Sequence, residues 1–71
     1  MLVTRIRADL KSGRAREDRE ATRAAQREIA LALGVTRTAV SHWEAGRSVP
    51  SAEHALAYGR LLDRLAKAAA G

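Results

Sequence analysis

The chain has no cysteine, no phenylalanine and a single proline, and its aromatic content is one tryptophan and one tyrosine in 71 residues. Without cysteine there are no disulfides, no zinc fingers and no thiol nucleophiles, and a reducing compartment suits everything else in the sequence. Stability must come from packing. Nowhere do β-branched or aromatic residues alternate with polar ones, and only Pro50 and a few glycines punctuate the chain, so helices are the default reading. No apolar run reaches the length of a membrane span, and Met1-Leu2-Val3 leads into Thr4 and Arg5 without an apolar signal core, which points to the cytoplasm. A chain of this length supports one modest core. Residues 1–71 are therefore read as a single domain, of a size that often gains stability from a partner subunit. Catalysis has little support: there are no paired histidines at metal-ligand spacing and no glycine-rich phosphate loop, and Ser41, His42 and Asp63 lack any surrounding triad motif. His54 has no companion ligand nearby and reads as a capping or surface residue. No metal, cofactor or small-molecule ligand is expected.

What the sequence has in excess is positive charge. Thirteen Lys and Arg oppose eight Asp and Glu, giving +5, and ten of the thirteen fall within residues 1–50. A polyanion is the natural partner for such a chain, but solvated helix faces give similar totals, so placement carries more than the sum. The ligand side is expected in the N-terminal two-thirds.

Helical spacing organises the rest. Val3, Ile6 and Leu10 form an apolar stripe over residues 2–11, opposite Arg5, Arg7, Asp9 and Lys11. Ser12-Gly13 then offers a break, with Ser12 as the cap of a second, highly charged helix over 13–23 that has Ala15, Ala21 and Thr22 to bury; one kinked helix through Gly13 fits almost as well. A third helix is expected over 24–33 with Ala25, Ile29, Ala32 and Leu33 inward, ending at Gly34, where positive φ is tolerated. Val35 follows as an apolar plug. Thr36 is a good N-cap for a fourth helix to about residue 45, buried through Val40 and Trp43 and ended by Gly46. After Pro50, Ser51 caps a fifth segment over 51–70, with Glu53 in its first turn and Leu56, Leu61, Leu62 and Leu65 as its apolar face. Gly59 bends that segment or divides it in two, and the alanine tail 68–71 is expected to fray.

Two short helices joined at a tight glycine turn, here 24–33 and 36–45, make a helix-turn-helix, whose second helix enters the major groove of DNA. The ordered run Gln26-Arg27-Glu28-Ile29-Ala30-Leu31-Ala32-Leu33-Gly34-Val35-Thr36, then Val40-Ser41-His42-Trp43-Glu44-Ala45-Gly46-Arg47, then Pro50-Ser51, resembles the Cro/repressor, or XRE-like, family of phage repressors, plasmid regulators and antitoxins. The resemblance spans residues 15 to 65. It implies an all-α bundle of five or six short helices of the lambda-repressor-like type. Gly34, Ala30 and the wedge of Ile29, Leu33, Val35, Val40 and Trp43 set the angle of the two helices, with core packing the better reading for Trp43 than stacking on DNA.

The exposed face of the fourth helix presents Arg37, Thr38, Ser41 and His42. Arg37 can bond guanine O6 and N7, or a phosphate; Thr38 can meet a thymine methyl; and His42 can reach a base or a phosphate. The resemblance puts Arg37, Thr38 and His42 at base-reading positions and Gln26 at a phosphate grip, aided by the helix-end amides beside it. Thr36, Ser41 and Arg47 are further phosphate candidates, and Arg23 and Arg27 flank the same helix start. The resemblance also implies a clamp between Arg19 and Glu44, a geometric device more than a source of stability. This chain departs from the family at Thr22-Arg23-Ala24-Ala25, where a glycine and a leucine are usual, and in its N-terminal segment 1–12. The stripe of that segment needs a cover, for which Leu61, Leu62 and Leu65 are the candidates, within one chain or across a homodimer.

The leading expectation is a sequence-specific double-stranded DNA-binding regulator, a repressor or Cro-like protein of a phage or bacterium, because 71 residues leave no room for a sensing domain. As a dimer it would read a palindromic operator. The competing expectation is a protein-interaction module, such as an antitoxin or an adaptor on the transcription machinery. Salt dependence of DNA affinity separates the two.

Overall fold

Where the apolar stripes change direction, the chain turns. The computed structural model describes residues 2–70 and resolves them into α1 (Leu2–Ser12), α2 (Arg14–Ala21), α3 (Gln26–Leu33), α4 (Arg37–Glu44) and α5 (Ala52–Ala70). Met1 and Gly71 lie outside the described residues. Among those described there is no strand, and no helix is long and apolar enough to cross a membrane.

The α1/α2 break falls at Gly13, in the left-handed region at φ 90°. Ser12 is not the N-cap read from the sequence: it closes α1, donating to the Asp9 carbonyl at 3.2 Å while its Oγ accepts the Arg14 amide at 3.3 Å. α2 buries Ala15 and, with it on the inward face, Arg19, the residue read as a clamp, and leaves Ala21 exposed.

α3 starts two residues later than the sequence suggests. Ala25 is its extended N-cap residue, and the Ala25 amide donates to Glu28 Oε1 at 2.9 Å. Ala24, Ile29 and Ala30 are buried, whereas Ala25, now outside the helix as its N-cap, and Ala32, both expected inside, are exposed. At its other end Gly34 adopts φ 72°, and the Val35 amide reaches back to the Ala30 carbonyl at 3.0 Å, closing the helix through a left-handed residue. Thr36 Oγ1 accepts the Ala39 amide at 3.1 Å, capping α4. Ser51 does the same for α5 through the His54 amide, also at 3.1 Å.

α5 is one helix of 19 residues, neither short nor divided at Gly59, and it remains helical through Ala70, where fraying was expected. Gly59 is buried because α1 crosses there: a Cβ on it would lie 2.6 Å from Cγ1 and Cδ1 of Ile6. Ile6 and Leu10 of α1 and Leu62 of α5 are buried together in one core, with Leu2, Val3, Leu61 and Leu65 half-buried around it. The two stripes therefore meet within one chain, burying Ile6, Leu10 and Leu62 and leaving Val3, Leu61 and Leu65 half-buried. A longer-range tie completes the arrangement, with Arg7 Nε and Nη2 both donating to the Pro50 carbonyl at 3.2 and 3.0 Å.

Candidate nucleic-acid interface

α4 has two faces with different duties. Val40 and Trp43 turn inward, at 0 % and 6 % exposure, so Trp43 is core. Arg37 and Thr38 are exposed in its first turn, and Ser41 and His42 are half-buried one turn later. The His42 carbonyl accepts the amides of Arg47 and Ser48 at 2.9 and 3.4 Å, which folds the following loop back onto the helix end and leaves Arg47 exposed beside it.

The inner face also carries a charge. Glu44 is buried, and four hydrogen bonds from three other helices converge on its two oxygens. Arg19 of α2 straddles it, Nε to Oε2 at 2.7 Å and Nη2 to Oε1 at 2.9 Å. Gln26 of α3 donates Nε2 to Oε1 at 3.0 Å, and Tyr58 of α5 donates its hydroxyl to Oε2. The third guanidinium nitrogen of Arg19 donates to the Ala24 carbonyl at 2.8 Å, fixing the turn into α3. A carboxylate offers about four acceptor sites, so the group is saturated. Among the described residues no buried side-chain polar atom lacks a partner.

The electrostatics follow from this packing. Burial opposes the charged form of Glu44, but the hydrogen bonds from Arg19, Tyr58 and Gln26 prevail and hold its pKa below the usual carboxylate value. The bond to Glu44 raises Arg19 despite burial. Tyr58 is pushed well above the ordinary phenol value, by burial first and by donation to a carboxylate second. The network is thus a fixed ion pair with a neutral phenol attached.

The expected phosphate grip at Gln26 is altered by the same network. Its side-chain amide is turned toward Glu44, and the Ala25 amide is taken by Glu28, so the helix-end donors left for an anion are the main-chain N–H groups of Gln26 and Arg27. Arg27 is exposed over that end, and Arg23, at φ 64° in the turn before it, is exposed as well. Among the described residues Arg23, Arg27, Arg37 and Arg47 form no salt bridge, whereas Arg14 and Arg16 pair with Asp18 and Glu20 along the exposed face of α2. The first four lie on α3, on α4 and in the segments flanking them, while further cations without a salt bridge among the described residues, such as Lys11 and Arg60, lie on α1 and α5. Among the described residues no group of three or more acidic or histidine side chains could hold a metal ion.

Sequence reasoning did not single out Tyr58. An isolated tyrosine among leucines gives no signal until Glu44 is known to be buried opposite it. Arg7 was read as solvated surface for the same reason, since its acceptor is a main-chain carbonyl 43 residues away.

A family model described as helix-turn-helix matches residues 16–67, and α3, the Gly34 turn and α4 lie at the centre of that match. The chain belongs to the XRE, or Cro/repressor-type, helix-turn-helix family. As an XRE-type protein it is a DNA-binding regulator, and its family is one of DNA-binding domains rather than enzymes. Neither the curated proteins nor the solved structures yield a match to it. α3 and α4 are the helix pair within the matched segment, and α1 is an addition that lies before it.

Proposed function

We propose that this protein is a small transcriptional regulator that binds double-stranded operator DNA sequence-specifically, in the manner of a Cro-like or repressor protein of a phage or bacterium. The observation that carries the reading is the division of α4: an inner face locked by Val40, Trp43 and Glu44, and an outer face whose first turn is Arg37 and Thr38, both exposed, Arg37 without a salt bridge among the described residues.

With α4 in the major groove, Arg37 donates a bidentate pair to guanine and Thr38 meets the neighbouring base edge, while His42 lies one turn on. Phosphates are held by the main-chain N–H groups at the start of α3, by Arg27 and Arg23, and by Thr36, Ser41 and Arg47 around α4. A regulator of this design acts by occupying its site. Two copies on a palindrome would place their recognition helices about 34 Å apart, and of the α5 leucines Leu62 is taken up in the core while Leu61 and Leu65 stay partly exposed for such a pairing.

Selection of bound sites from a random duplex pool tests the reading. A consensus containing a guanine whose preference is lost in Arg37→Ala supports it, and the symmetry of that consensus counts the copies bound. Affinity that shows no sequence preference at any salt concentration overturns it.

A further inference from the structure

Beside this interface, between the second half of α1 and the segment joining α4 to α5, lies a groove of about 410 Å³. Leu10, Trp43 and Pro50, all buried, form its floor, and Val49 stands in its wall at 71 % exposure. Arg7 and Lys11, one helical turn apart on α1, supply its charge; among the described residues no carboxylate lines it. The groove is already shaped, because the Arg7 guanidinium is fixed on the Pro50 carbonyl. Its α1 wall lies outside the segment that matches the helix-turn-helix family, so the groove is an elaboration of this chain upon that motif.

An apolar floor with an exposed valine is poorly suited to a phosphodiester strand, which is drawn to cations in a wet channel. It is well suited to a large apolar side chain, and the volume is in the range of pockets that enclose one such group with the backbone carrying it. We propose that the groove docks an acidic segment of another protein, with one large apolar side chain seated against Trp43 and Val49 and carboxylates beside Arg7 and Lys11. Charge decides the class of occupant. A net charge of +5 draws an acidic partner in and disfavours a second copy of the chain.

Trp43 is the only tryptophan, so its fluorescence reports on the groove floor directly. The probes are three synthetic peptides: a leucine flanked by aspartates and glutamates, the same peptide with alanine for leucine, and the same peptide with lysines for the acids. The acidic leucine peptide should shift Trp43 emission saturably, and Val49→Asp and Lys11→Glu should each weaken it about tenfold. Both side chains are exposed, so both variants should keep the parent melting temperature and the parent affinity for duplex DNA. The proposal is overturned if no peptide shifts the emission or if the lysine or alanine peptide does so equally. It is also overturned if sedimentation shows self-association that Val49→Asp abolishes, which would give the groove to a second copy, or if both variants lose DNA affinity, which would give it to DNA. Failure with the peptides alongside intact, Arg37-dependent DNA binding would remove the docking site and leave the DNA-binding reading in place.

Discussion

Tyr58 and Glu44 lie 14 residues apart and on different helices, yet the hydroxyl of one donates to the same carboxylate oxygen that accepts Nε of Arg19. Through this contact α5 takes part in holding α4. Tyr58 is fully buried and its ring also lies near that of Trp43, with centroids 6.5 Å apart, so its packing and its polar end act on one helix.

Tyr58→Phe keeps the ring and removes the donor. A hydrogen bond to a charged group contributes about 1.5–3 kcal/mol, so the variant should unfold at lower urea with an unchanged slope. The same stability as the parent would mean that the hydroxyl contributes nothing to α5 docking.

Stability should fall at both ends of the pH scale, for separate reasons. Glu44 has a depressed pKa in the folded protein, so its contribution is complete above the unfolded value of about 4.3 and is lost as pH falls through the folded value. Tyr58 has a raised pKa, so its neutral form is favoured on folding, and stability declines as pH rises past the unfolded value of about 10. Melting temperatures from pH 2 to 12 measure both limbs. In Tyr58→Phe the alkaline decline should be reduced and the acid decline retained.

Arg19→Ala should lower stability by about 3–5 kcal/mol, because it leaves the Glu44 carboxylate buried without its cation. Weakened DNA binding at parent stability would instead make Arg19 a DNA contact.

Gly59→Ala improves intrinsic helix propensity by about 1 kcal/mol, yet it should destabilise the protein, since overpacking costs about 1–3 kcal/mol and the new methyl would meet Ile6 at 2.6 Å. Combining it with Ile6→Ala should cost less than the sum of the two single changes, because the shortened side chain makes room. Chemical unfolding of the four proteins closes the cycle. Strict additivity would show that the two residues do not meet.

On DNA, Arg37→Ala should flatten preference at one base position, while Arg27→Ala should weaken all sequences alike and reduce the slope of log affinity against log salt by about 1. Titrations of a selected and a scrambled duplex at several salt concentrations separate the two effects.

What the sequence made legible was local. Thr36, Ser51 and Gly34 act on amides and carbonyls within a few residues, so their side-chain chemistry is sufficient to place them. Ile29 and Val40 could be placed because two turns of helix fix a face. The faces of α2 and α3 were harder to read. Alanine fits inside or outside equally well, and around α3 it is Ala24 and Ala30 that are buried, where Ala25 and Ala32 were expected. The joining of Gln26 to Glu44, the seat of Ile6 on Gly59 and the clamp from Arg7 to Pro50 all link segments far apart in the chain. No local pattern encodes those pairings. Arg19 and Glu44 came to notice only through likeness to a family, and Tyr58, which completes their group, had no such pointer.

The inward side of α4 alone secures the helix, through Val40, Trp43 and the saturated carboxylate of Glu44, while Arg37 and Thr38 hold nothing in place. Those two positions are therefore interchangeable parts. If Arg37 and Thr38 read bases as proposed, substitutions there redirect the protein to new sequences without repayment elsewhere in the fold, so a lineage carrying this scaffold can diversify its targets one side chain at a time.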